Sequence, residues 1–194
     1  MSTNTKRLLL IIGIAAAFCL VAVGVAVGGL SLLGNRLKNN FVTDPAKAQQ
    51  MAHAFISYEL PAGYKEQMGM DFLIYKMILI SPPESSSQPM IFLAQFQSQG
   101  MSPEQMTQQM QQSIDQQSGS SGLKLKLVET RKVTINGNQT SLSVSEGSDA
   151  SGTLIRQWVT AFPGKSGLIL IMIQGSVSEW DDTVLNSFLA SITS

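Results

Sequence analysis

Acid–base and nucleophilic catalysis need groups held within hydrogen-bond reach of each other, with one tuned toward neutral pKa. Few such groups are present. His53 is the only histidine and Cys19 the only cysteine in the 194-residue chain. A Ser–His–Asp triad would depend on His53, and no Gly-x-Ser-x-Gly elbow occurs anywhere. Gly164-Lys165-Ser166 has the ending of a phosphate loop, but the glycine needed five positions earlier is Val159, and a hairpin turn explains the triplet. Glu179, Asp181 and Asp182 offer oxygen ligands for a hard cation. Within one helical turn they point in different directions, and capping of a helix start is the better reading. No catalytic, cofactor-binding or metal-binding residue is assigned, and the chain is expected not to be an enzyme.

Two groups suit contact rather than chemistry. Tyr64, Met68 and Met70, in the stretch YKEQMGM beside a turn, could form an adaptable partner surface or pack in a core. Gly13, Ala17, Gly24 and Gly28 fall near one helical face, and Gly24 to Gly28 is a GxxxG. Small residues at that spacing let two helices approach closely, so homodimerisation through this face is a possible use. Asn138-Gln139-Thr140 fits the N-glycosylation pattern, which matters only in a eukaryotic secretory route.

That face belongs to the element around which the chain is organised. Residues Leu8 to Leu33 carry no charge, and fifteen of them are Leu, Ile, Val or Phe. As a helix the run is about 39 Å long, enough to cross a hydrocarbon core of about 30 Å. It is longer than the apolar region of a cleaved signal peptide, and Phe18 before Cys19 argues against a lipoprotein. Cys19 reads as a small apolar residue in the span. The expected organisation is a tail over 1–7, a transmembrane helix over 8–33, a linker and short helix over 34–53, and a folded domain over 54–194. Lys6 and Arg7 abut the run as in a signal anchor, which places the tail inside and the domain outside the cytoplasmic membrane.

The formal net charge of zero hides an asymmetry. Through His53 the chain carries five Lys/Arg and one Asp; from Ala54 onward it carries eight Lys/Arg and twelve Asp/Glu. A mildly acidic domain lacks the footprint for neutralising phosphates, so nucleic-acid binding is not expected. With its one cysteine inside the span, the domain has no disulfide framework; at about 140 residues it needs none to hold a core.

Periodicity and turn chemistry then supply the elements. Thr43-Asp44-Pro45 starts a short helix. Strands are expected at Phe55 to Leu60, Phe72 to Ile80 and Met90 to Gln97. Ser102-Pro103-Glu104-Gln105 opens a Gln-rich helix. Leu123, Leu125 and Leu127 alternate with Lys124 and Lys126 as a half-buried strand; Lys132 to Ile135 leads into Asn136-Gly137, a strong hairpin signal. Gln139 to Ser145, Thr153 to Phe162 and Leu168 to Ile173 follow, the last apolar throughout and expected at the centre of the sheet. Ser178 is read as the cap of a final helix with an apolar face of Trp180, Val184, Leu185, Phe188, Leu189 and Ile192. Hairpins interrupted by helices indicate an α+β domain with an antiparallel sheet.

Three stretches resemble the PsbP/DcrB-like superfamily, the extrinsic photosystem II proteins and their bacterial relatives. They are Tyr58-Glu59-Leu60-Pro61-Ala62-Gly63-Tyr64, then Val133-Thr134-Ile135-Asn136-Gly137, and the closing WDDTVLNSFLASI of Trp180 to Ile192. The resemblance covers about residues 54–194. It implies an αβα sandwich with a central antiparallel sheet and a non-catalytic binding or assembly role, with no shared active site and no cofactor. The expected protein is a single-pass membrane module, exposed outside the cytoplasmic membrane, whose partners are the bilayer and an envelope protein. A membrane-tethered hydrolase using carboxylates, or a cytoplasm-facing adaptor, are the alternatives.

Overall fold

The structure is a computed structural model that describes residues 41–72, 75–82, 88–97, 102–117 and 123–193. The run over 8–33, with Gly13, Ala17, Gly24 and Gly28, lies outside the described residues, as does the tail over 1–7. No helix among the described residues is long and apolar enough to cross a membrane.

Eight strands form one sheet: β1 (Phe41–Val42), β2 (Lys65–Asp71), β3 (Tyr75–Ser81), β4 (Met90–Phe96), β5 (Lys124–Ile135), β6 (Asn138–Ser148), β7 (Leu154–Gly164) and β8 (Gly167–Ser176). Their order is β1-β2-β3-β4-β8-β7-β6-β5, and every neighbouring pair is antiparallel. Two meanders are thus joined where the last strand, β8, lies beside β4. Among the described residues three α-helices accompany the sheet: α1 (Pro45–His53), α2 (Pro103–Gln117) and α3 (Asp182–Ser191).

Alternation along the strands sorts the apolar side chains to two faces. One face gathers Met70, Met77, Leu79, Phe92, Ala94, Val159, Leu170 and Met172 with Met106 of α2. The other gathers Ile78, Ile80, Ile91, Leu93, Trp158, Phe162, Ile169, Ile171 and Ile173 with Ala52 of α1 and Leu185, Phe188 and Leu189 of α3. Leu168 to Ile173 is buried at every position, because β8 is central and apolar on both sides. Each such aliphatic side chain contributes roughly 1.5–3 kcal/mol of burial. The class is α+β, as the alternation of hairpins and helices indicated.

Several elements depart from the sequence reading. Phe55 to Leu60 is not a strand: its only ladder contact among the described residues is the bridge Ser57–Thr193, although Phe55, Ile56 and Tyr58 are buried. β-Branched and aromatic content there reflects burial, not pairing. Conversely, Lys65–Asp71 is a strand despite Gly69 and its charges, since β3 supplies a ladder along its length. Phe41–Val42 pairs with β2, and Ala48 and Ala52 of α1 are fully buried, so this part of the expected linker belongs to the packed unit. A Cβ at Gly69 would run into Met51, which shows how closely α1 lies on β2. The stretch from Leu123 that continues through Lys132 to Ile135 forms one long strand, with a bulge between Leu127 and Glu129.

Two local readings hold and one shifts. Asn136 (φ 51°) and Gly137 (φ 71°) make the β5–β6 turn with both residues left-handed, as a type I′ hairpin requires. The triplet at Gly164 is the β7–β8 hairpin, not a phosphate loop. The final helix starts later than expected. Ser176 caps a 3-10 turn over Val177–Glu179, and Asp181 caps α3 by accepting from the N–H groups of Thr183 and Val184. Trp180 therefore precedes the helix, Ile192 follows it, and Val184 is exposed.

Candidate interaction surface

β5 ends the sheet. It is twelve residues long, pairs with β6 along its length, and faces no further strand among the described residues. Its sequence holds four cations (Lys124, Lys126, Arg131, Lys132) and one anion (Glu129), a net charge of +3 and half of all Lys/Arg from Ala54 onward. The rest of the domain is correspondingly acidic.

The bulge sets how this edge meets solvent. Val128 is the extra residue, without a partner on β6, because Leu127 pairs with Ser145 and Glu129 with Val144. Leu127 is 51% exposed and Val128 56%. Leu154 at the start of β7, 61% exposed, lies across the register from Lys124 through Ser148. Three of the five exposed large apolar side chains among the described residues therefore sit at this end of the sheet. Gly147 allows it: a Cβ there would strike the backbone of Lys124, so β6 can take β5 at close range only without a side chain.

Behind the edge, a cluster of rings and charges fixes β5 to α3. The Arg131 guanidinium lies over the Trp158 ring, 4.4 Å from its centroid. Trp158 meets Trp180 edge-on at 5.2 Å, and Arg156 lies 5.7 Å from the Trp180 centroid. Each contact of this kind contributes about 0.5–1 kcal/mol where partly exposed. Arg156 donates from Nε to Glu146 at 2.7 Å and approaches Asp182 at 3.6 Å. Arg131 Nη2 stands 3.9 Å from Asp182, an ion pair too long for a hydrogen bond. Among the described residues Arg131 Nε and Nη2 and Trp180 Nε1 have no hydrogen-bond partner, so ring stacking and charge hold Arg131 and Trp180 in place.

The register explains which cations remain free. Glu146 lies directly across from Lys126 on one side and Arg156 on the other, and it pairs with Arg156. Lys126 and Lys124 are left exposed without an ion pair among the described residues. Lys132 reaches Ser141 at 3.1 Å and is also exposed.

A second arrangement lies at the opposite end. Tyr58 donates to the buried Glu66 at 3.1 Å, and His53 stacks on the Tyr58 ring at 5.5 Å. Burial, then the Glu66 charge and the hydrogen bond, push the Tyr58 phenol well above its ordinary value, so it stays a donor. Asp181 and Asp182 of the acidic triplet are used in capping and in ion pairs with Arg131 and Arg156, and no group of three or more His, Cys, Asp or Glu among the described residues could hold a metal.

Tyr64, Met68 and Met70 are not brought together. Tyr64 donates to the carbonyl of Pro89 and packs on the face of α1 and α3, with burial raising its phenol pKa. Met68 and Met70 belong to the opposite face, and Met70 is buried. The fold sets Tyr64 on one side and Met68 and Met70 on the other, because the bulge between Glu66 and Met68 breaks the alternation that would otherwise place all three on one face. Sequence reasoning misses the β5 surface because Leu127 falls on the expected buried side of a half-buried strand. The signal that could have found it is the break in alternation at Leu127-Val128 within a stretch holding half of the domain's cations.

No family model matches the chain, and no curated protein matches it. Among solved structures it is similar to the cyanobacterial PsbP (CyanoP) of Synechocystis sp. PCC 6803, with a TM-score of 0.45 and 8% identity over 86% of this chain and 96% of that one. It is similar to LpqN of Mycobacterium tuberculosis, involved in cell envelope biogenesis, with a TM-score of 0.45 and 14% identity over 71% and 82%. A structure from Bacteroides thetaiotaomicron VPI-5482 matches with a TM-score of 0.48 and 12% identity over 80% of this chain; the chain spans about half of that protein, 48% of its length. Likeness at this level assigns no residue a role. PsbP, named in the sequence resemblance, is among the solved structures to which the chain is similar.

Proposed function

We propose that this protein is a single-pass membrane-tethered binding module, without catalytic activity, that holds or assembles an envelope partner outside the cytoplasmic membrane. The observation that carries the reading is the end of the sheet at β5: a twelve-residue strand that meets no further strand among the described residues, with Leu127 and Val128 exposed and Lys124 and Lys126 without an ion pair among them, fixed from behind by Trp158, Trp180, Arg131 and Arg156. A rigid scaffold presenting an unsatisfied edge suits recognition. The apolar run over 8–33 supplies the tether, and its charge flank the orientation. Four acidic side chains already have partners within the fold: Glu66 accepts from Tyr58, Asp181 caps α3, and Asp182 and Glu146 pair with arginines.

The test uses the full chain in its membrane. Protease added to spheroplasts should digest the domain, and lysine-reactive cross-linking should retain a discrete envelope protein of defined size. The full chain in mild detergent should turn over no ester, peptide, glycoside or phosphate substrate. Complete protease protection would overturn the topology, and turnover abolished by His53→Ala or Asp181→Ala would replace the binding module with an enzyme.

A further inference from the structure

We infer that β5 is the docking edge for an extended, acidic segment of a partner protein, which adds to the sheet as a ninth strand. The inference rests on the binding-module reading and names the chemistry of its partner. An antiparallel strand of twelve residues offers about 40 Å of edge. No strand among the described residues pairs with its outward N–H and C=O groups, which an added strand would satisfy.

Charge selects the occupant. A second copy of this chain would bring a net +3 strand against a net +3 strand, so the edge rejects self-pairing. A segment with acids at both ends and apolar residues in its middle is complementary. Its first acids meet Lys124 and Lys126, its middle covers Leu127 and Val128 at the bulge, and its last acids meet Lys132. Lysines on an edge strand ordinarily guard it against indiscriminate pairing. Here they stand beside two apolar side chains that are more than half exposed, which a purely protective edge has no reason to present. The same residues therefore exclude most strands and admit an acidic one, the combination of attraction and repulsion that gives specificity.

Register adds a second constraint. From Glu129 to Ile135 the β5–β6 pairing runs without irregularity, so the outer side of this part is a regular template. Arg131 sits within it, turned inward onto Trp158 and toward Asp182, so this half of the edge is anchored to α3. The docking strand meets a preformed edge and orders only itself, which limits the entropy lost on binding.

The probe is a synthetic peptide of about eleven residues, glutamates at both ends and valines in the middle, alternating with threonine and labelled for anisotropy. The protein is the full chain in neutral detergent. The peptide should bind, more weakly as salt is raised. Lys124→Glu with Lys126→Glu should weaken binding about tenfold or more, while Lys165→Glu on the β7–β8 turn leaves it unchanged. Methylating alternate amides along one side of the peptide should weaken binding at least as much, because the pairing hydrogen bonds are then lost. Absence of peptide binding, equal binding of the methylated peptide, or equal loss from Lys165→Glu would overturn the docking edge. Binding only to vesicles containing phosphatidylserine would also overturn it and make the lysines a lipid contact. The two readings separate by photocross-linking: an envelope partner captured from Lys165 and not from Lys126 sinks the β5 edge and leaves the binding module standing.

Discussion

The two ends of the sheet solve the same problem in opposite ways. Each carries a bulge next to its edge, between Glu66 and Met68 on β2 and between Leu127 and Glu129 on β5. At the β2 end the extra residue is Gln67, whose side-chain amide donates to the Ser81 carbonyl across the ladder. Its neighbour Glu66 is turned inside and held by Tyr58. Beyond it the two residues of β1 pair with Met70 and Gly69, and α1 lies on Gly69. At the β5 end the extra residue is Val128, and it points into solvent. A bulge can therefore close an edge or equip it, depending on whether the fold provides a partner for the residue it displaces. At one end the displaced residue finds a partner within the chain; at the other it is exposed.

The comparison breaks most severely if the brace behind the open end is removed. Trp158 is almost fully buried and touches both Arg131 and Trp180. Trp158→Ala should cost about 3–5 kcal/mol, measured as a shift in the urea unfolding midpoint of the full chain. Phe188→Ala on α3 falls in the same range. A loss below about 1 kcal/mol at Trp158 would mean that β5 does not depend on the cluster for its place.

The closed end answers to a smaller substitution and to pH. Tyr58→Phe removes the donor to a buried carboxylate and should cost about 1–3 kcal/mol. The folded-state pKa of Tyr58 is raised, so its contribution is fully present below the ordinary phenol value of 10.0 and is lost as pH rises above it. Stability should fall above about pH 10 by roughly one kcal/mol per unit from this residue, and the slope should be shallower in Tyr58→Phe. Identical slopes would detach Tyr58 from the stability of the closed end.

How far each end was legible follows from its physics. The hairpin at Asn136-Gly137 and the central strand at Leu168 to Ile173 are local signals, and the fold keeps them. The open end was legible as alternation at Leu123 to Leu127 and as a hairpin strand, but not as an edge, because edge position is a property of topology. The closed end was not legible. Lys65–Asp71 has poor strand propensity and is a strand because β3 pairs with it, while Phe55 to Leu60 has good propensity and is a half-buried loop whose one bridge among the described residues, Ser57–Thr193, reaches no strand. Tyr58 and Glu66 are eight residues apart and look unrelated until the intervening turn at Pro61-Ala62-Gly63 brings them together. The acidic triplet was read correctly as capping at Asp181, whereas the role of Asp182 depended on arginines from two distant strands.

A third substitution tests whether the loop beside the open end is built independently of it. Asp149 Oδ1 accepts from the N–H groups of Ser151 and Thr153 and from the Ser151 hydroxyl, closing the β6–β7 turn. Burial raises the carboxyl pKa, but these hydrogen bonds and that of the Gly152 N–H outweigh it and hold the value below the usual range. That contribution is present above the ordinary carboxylate pKa and is lost as pH falls through the lowered value. Asp149→Ala should cost about 1 kcal/mol near neutral pH and progressively less in acid. A cost that does not diminish in acid would assign the loop's stability to something other than the carboxylate.

The smallest expected effect on stability is the sharpest test of the comparison. Lys126→Gln and Leu127→Ser change the outer surface of β5 without touching the cluster around Trp158 or the core faces, since glutamine sets no like charge opposite Glu146, the partner of Arg156. Both side chains are exposed, and Lys126 forms no ion pair among the described residues. Surface substitutions of this kind alter stability by no more than about 0.5 kcal/mol. If β5 merely ended the sheet, nothing else would change. If it awaits a partner strand, each substitution should release the cross-linked envelope partner while the unfolding midpoint stays where it was. The matching pair at the closed end, Gln67→Ala and Met68→Ala, should do the reverse, costing stability with the partner retained, because Gln67 and Met68 are already bound within the chain. Should Leu127→Ser destabilise the domain as much as Met68→Ala does, the two ends are equivalent and β5 is closed by contacts of its own.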